Sequence, residues 1–210
     1  MQSNNEITID PKKTALLLLH WQNDIASPKG KNAKDMPERL KAAGIVEHTQ
    51  AVLEASRKKE MLVVYVNAAH RPGYPEMPAR CNPMSTMLAQ LGVMIKGSWG
   101  AGVLDELKPL ENEIIVDNSS TSGFCYTDLD LILRNKGITD IVLSGLATNF
   151  VVESTARAGF NMGYIVYTLE DCCLSLNDEM HNWTITNILP FIGCVIDSNT
   201  YIAALQRSLS

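Results

Sequence analysis

The stretch TALLLLHWQNDI, residues 14–25, runs through four consecutive leucines and then breaks off into His20, Trp21, Gln22, Asn23 and Asp24. A short, unbroken apolar run of this kind fits a strand covered on both faces, as in a parallel sheet. Five similar runs follow, over residues 61–68, 113–117, 140–146, 163–169 and 193–197. Segments of helical period separate them. Residues 37–59 open on Pro37 and close on basic residues, and 127–137 start with Thr127 as cap and stop at Gly137. Residues 149–163 and 178–189 read as further helices. This alternation predicts a three-layer αβα, Rossmann-like fold with a six-stranded, mainly parallel sheet, in one domain over residues 1–210.

The bulk properties narrow the partners. At 210 residues the chain can bury a full core without metals or disulfides. A net charge of −5, with no long run of either sign, leaves no basic footprint for nucleic acid or an anionic membrane surface. No stretch approaches the ~20 apolar residues of a membrane span. The opening MQSNNEITIDPKK lacks the apolar centre of a signal peptide. Cys81, Cys125, Cys172, Cys173 and Cys194 are odd in number and show no Cys-x-x-Cys spacing. They read as reduced thiols of a cytoplasmic protein. The expected partner is a small molecule, with no nucleic acid and no membrane.

In an open parallel sheet, ligands bind beyond the carboxyl ends of the strands. Three predicted ends, His20–Asp24, Asp117–Phe124 and Leu146–Val151, are rich in small or polar groups; ordinary caps and turns are the alternative reading. Residues 69–103 form a long irregular segment of the kind that serves as a lid or pocket wall.

The motifs LLLLHWQNDI, VVYVNAAHRPGYPEM, GSWGAGVLDELKP and IIVDNSSTSGFCYTDLDLILRNKGI, and above all GLATNFVVESTARAGFNMGY followed by VYTLEDCC, carry a resemblance. The chain resembles the isochorismatase-like hydrolases, also called cysteine hydrolases, over nearly its whole length. That resemblance implies an aspartate ending the first strand, a lysine after the third and a cysteine opening the helix after the fourth. In such a site the carboxylate takes the thiol proton, the ammonium holds carboxylate and substrate, and the helix N-terminus supports the thiolate. Main-chain N–H groups around a non-proline cis peptide, here expected between Leu146 and Ala147, form the oxyanion hole.

The sequence departs from this pattern at all three positions. The aspartate position reads His20, the lysine position Asn118 and the cysteine position Val151. Valine cannot attack a carbonyl, so a thiol route through that position is closed. The resemblance therefore implies His20 as candidate general acid or base, Asn118 as its neighbour, and the N–H groups of Ala147 and Val151 as oxyanion donors. Trp21, Gln22, Asp24, His70, Trp99, Phe124, Cys125, Thr148 and Phe150 are expected to line the pocket. The aromatic rings would stack on a planar ligand or else pack in the core. Cys125 is the best candidate for a displaced nucleophile, against a buried-hydrophobe reading. Cys172 and Cys173 read as packing, and His48 and His181 as surface or interface residues. Related nicotinamidases hold a metal on Asp-x-His; the stretch Asn67-Ala68-Ala69-His70 lacks that pair, so neither metal nor cofactor is expected. A non-catalytic relative and a non-hydrolytic reaction in the same pocket stay open. The resemblance also implies a homo-oligomer, a dimer or tetramer. The apolar residues of 75–100 either form its interface or fold back over their own core.

Overall fold

The computed structural model describes residues 7–208 apart from Ala79 and Cys81. Six strands, β1 (Thr14–Leu19), β2 (Leu62–Ala68), β3 (Ile114–Asn118), β4 (Asp140–Leu146), β5 (Ile165–Leu174) and β6 (Cys194–Ile196), form one sheet in the order β3-β2-β1-β4-β5-β6. Every pairing is parallel. The helices are α1 (Asn23–Ala26), α2 (Met36–Ala42), α3 (Ile45–Lys58), α4 (Pro83–Leu91), α5 (Leu129–Asn135), α6 (Glu153–Asn161), α7 (Asp178–Asn187) and α8 (Ser198–Arg207). The three-layer αβα architecture expected from the alternation is the one observed.

All six residues of β1 are buried, which explains its unbroken apolar run. Alternate side chains enter opposite cores. Leu16 and Leu18 join Tyr65, Val142, Leu53 of α3 and Tyr201 of α8 on one face. Leu17 and Leu19 join Val64, Leu143, Leu133 of α5 and Ala156 of α6 on the other. At about 1.5–3 kcal/mol per fully buried leucine, this strand anchors both layers.

The elements differ from the sequence reading in instructive ways. The helix expected over 37–59 is two helices, because Gly44 takes a left-handed φ of 64° and redirects the chain between α2 and α3. Strand β5 runs five residues beyond the expected end, to Leu174. Asp197 caps α8 by accepting from the Thr200 N–H at 2.6 Å, a helix the periodicity did not single out. Within 69–103, Asn82 accepts from the Ser85 N–H and starts α4. Leu88, Val93 and Met94 are buried there, with Met77, Met87 and Ile95 packed against them. Most of the apolar residues of this segment thus fold back over their own core, which weakens the argument for an interface at 75–100, while Met84 and Leu91 stay exposed. No helix among the described residues is long and apolar enough to cross a membrane.

A close approach pins this segment to the end of β1. The Asp24 carboxylate accepts from the Met94 N–H at 2.7 Å, and the Asp24 N–H donates to the Gly100 carbonyl at 2.9 Å. A Cβ on Gly100 would lie 2.1 Å from Asp24 Oδ2. Gly100→Ala is therefore expected to destabilise the fold by ~2–3 kcal/mol, measured by urea denaturation. A loss below ~0.5 kcal/mol would show that the loop yields freely.

Candidate active site

Strand β1 ends where the His20 N–H donates to the Val66 carbonyl of β2 at 2.8 Å and the chain then turns. His20 does this with φ at +55°, a conformation that non-glycine residues seldom adopt. Such backbone positions cluster at functional sites. The residue as a whole is partly exposed, but its Nε2 is sealed from solvent and has no hydrogen-bond partner. Burial drops the imidazole pKa to about 4; the Asn118 side chain beside it opposes that shift, and nearby His70 adds to it. At neutral pH the ring is uncharged.

Asn118, the last residue of β3, is fully buried. Its Nδ2 donates to the Ser122 carbonyl at 2.6 Å, and its Oδ1 accepts from the Ser120 N–H at 3.1 Å. The carboxamide therefore shapes the 119–122 turn as well as flanking His20. The peptide between Leu146 and Ala147 is cis, as expected. It leads into a single π-helical turn, Thr148–Val152, ahead of α6. Val151 lies in that turn with only 1% exposure, packed into the same core as Phe124. Along the sheet, the carboxyl ends of β3, β1 and β4 thus carry Asn118, His20 and Ala147 in turn, with β2 between the first two.

Several residues expected to line a pocket are interior supports instead. Trp21 is fully buried, and its Nε1 donates to Ser144 Oγ, which donates onward to the Cys172 carbonyl. Gln22 donates from Nε2 to the carbonyls of Ala68 and Ala101 and accepts at Oε1 from the Ala68 N–H, each at 2.8 Å. Asp24 holds the Met94 loop, as above. Phe124 stacks on Tyr164, ring centres 5.6 Å apart. These groups are polar or aromatic because they tie strand ends to loops, a role that a linear motif does not separate from ligand contact.

Other candidates sit at the surface or hold neighbouring segments. Trp99 is 53% exposed, and only its carbonyl is engaged, by Asn23 Nδ2 and the Gly102 N–H. Phe150 is 37% exposed, and Cys125 is exposed. Thr148 is buried, with its Oγ1 2.8 Å from His181 Nδ1. His181, expected as a surface or interface residue, is half-buried and thereby braces the turn after β4. His48 approaches Asp171, with Nδ1 3.2 Å from its carbonyl. His70 is 3% exposed, lies against Tyr74 and has an unpartnered Nδ1, and burial lowers its pKa. Cys172 and Cys173 are packed as read; burial pushes both thiols up, Cys173 to about 12, which keeps them protonated. Cys81 lies outside the described residues. Among those described, no group of three or more His, Cys, Asp or Glu side chains is placed to hold a metal ion.

The family model described as the isochorismatase domain matches residues 14–200, and the chain belongs to that family. It is 31% identical to the ureidoacrylate amidohydrolase RutB of Acinetobacter baylyi, over 96% of this chain and 87% of that protein. An isochorismatase-like hydrolase from Alkaliphilus metalliredigens superposes with a TM-score of 0.73 at 30% identity, covering 91% of this chain and 98% of its own. A cysteine hydrolase from Pseudomonas syringae pv. phaseolicola shares the fold more closely, with a TM-score of 0.83 at 24% identity, covering 98% and 99%.

Proposed function

We propose that this protein is a small-molecule hydrolase that works without a cysteine nucleophile, with His20 as its general base. The observation that carries the reading is His20 Nε2, sealed, unpartnered and beside Asn118 at the strand ends. An imidazole with a pKa of about 4 matches an ordinary aspartate in base strength, near 3.9, but carries no charge when deprotonated. It suits proton removal from water; at neutral pH it holds too little proton to act as the initial acid. In this reading substrate binding admits one water to the otherwise sealed Nε2, and that water attacks the substrate carbonyl carbon as Nε2 takes its proton. The N–H groups of Ala147 and Val151 receive the oxyanion, and the imidazolium returns the proton to the leaving group. Asn118 positions the ring.

A weak neutral base without a thiolate favours activated carbonyls with good leaving groups. We expect no turnover of nicotinamide or N-carbamoyl amides and measurable hydrolysis of p-nitrophenyl acetate, unchanged after alkylation of Cys125. His20→Asn should lower that rate by about 100-fold or more. An amidase activity abolished by thiol alkylation would sink this reading.

One observation favours a second reading, a ligand-binding relative without catalysis. Val151 is packed into the core, and both ends of the Asn118 carboxamide are committed to the Ser120–Ser122 turn. Ester hydrolysis equal in the wild type and His20→Asn would select it.

For assembly we expect a homodimer or homotetramer. The supporting surface is the exposed apolar set Leu176, Met180, Trp183 (63%) and Phe191 (82%), on α7 and its flanks. Exposed aromatic clusters of this kind mark contact surfaces. Sedimentation should show an oligomer at micromolar concentration and dissociation in Trp183→Lys. A wild-type monomer refutes the expectation.

A further inference from the structure

A cleft of about 370 Å³ opens along the edge of the sheet beside β3. Val103 and Ile115 form apolar walls, and Asn67, Lys96, Lys108 and Asp117 contribute polar groups. Asn67 on β2 and Asp117 on β3 are register partners, as are Ala68 and Asn118. Side chains alternate across a strand, so the first pair projects from one face and the second from the other. The cleft therefore lies on the opposite side of the sheet from the Asn118 side chain.

Its chemistry is specific. Asn67 is only 6% exposed, yet its Oδ1 has no hydrogen-bond partner, whereas buried polar atoms are as a rule paired. The other end of the same carboxamide, Nδ2, carries two N–H donors that can donate to an incoming anionic group. Lys96 Nζ lies 2.6 Å from Asp117 Oδ2, and Lys108 adds a second ammonium. Two cations against one carboxylate leave an excess positive charge, placed next to apolar walls. We propose that this cleft is a second ligand site, independent of His20, for a small carboxylate with an apolar body.

The test is a titration of ¹⁵N-labelled protein with benzoate, and with benzamide as its neutral counterpart. Saturable shifts are expected at the Lys96–Ser98 and Ile115–Asp117 amides, with benzamide about tenfold weaker because it lacks the charge. Lys96→Met with Lys108→Met, and separately Asn67→Leu, should each weaken benzoate by about tenfold. The lysines are at the surface, so the double variant keeps the test valid if Asn67→Leu fails to fold. His20→Asn should leave these shifts unchanged while removing ester hydrolysis, which separates the two proposals. Equal affinity for benzamide, no saturable shift, or shifts that vanish in His20→Asn would overturn the second site.

Discussion

Gln22→Leu is expected to cost roughly 4 kcal/mol of stability and to lower Tm by about 10 °C or more. The leucine nearly conserves volume, so the loss comes from polarity. Three interior backbone groups, the Ala68 and Ala101 carbonyls and the Ala68 N–H, lose their only side-chain partner. Each buried group left unpaired costs about 1–3 kcal/mol, and relaxation recovers part of the sum. Gln50 is the control, because its single bond, to the Glu106 carbonyl, is made at the surface. Gln50→Leu should change stability by less than ~0.5 kcal/mol. If calorimetry finds the two variants alike, Gln22 is not the tie that joins β2 to the loop after Trp99.

The second large effect is acid sensitivity. The folded pKa of His20 is about 4 against 6.5 for the free side chain. Between these values the unfolded chain binds the proton and the folded chain does not, so stability rises with pH across that window. The full contribution is present above pH 6.5 and is lost progressively as pH falls towards 4. The loss at pH 4.5 is roughly 2–3 kcal/mol. His70 and His181, whose pKa values burial also lowers, act in the same direction. His20→Asn should flatten the profile without strain of its own, because asparagine tolerates the left-handed backbone at this position. Denaturation at pH 4.5, 6 and 7.5 measures it. A variant profile as steep as that of the wild type would place the proton uptake elsewhere.

Much of the site region could be read by counting along motifs. His20, Asn118 and Ala147 stand at the carboxyl ends of β1, β3 and β4, where strand patterns and family spacing put them. The roles of their neighbours could not be read in that way. Trp21, Gln22 and Asp24 follow His20 directly, and a polar cluster after a buried strand looks the same whether it faces a ligand or the protein interior. Which way each side chain turns was decided by the left-handed step at His20 and by partners far along the chain: Ser144, Ala101 and Met94. His181 was missed for the same reason, since its partner Thr148 lies 33 residues away.

The parallel three-layer sheet was legible in the residues alone, because a strand buried on both faces is apolar along its length and needs a helix to return the chain. So was the lack of a thiol at the position after β4, since Val151 follows from residue identity. The charge state of His20, the duty of Gln22 and the opening beside Asn67 emerged from the folded arrangement. Those depend on desolvation and on contacts between segments far apart in the chain, and neither is encoded in local periodicity.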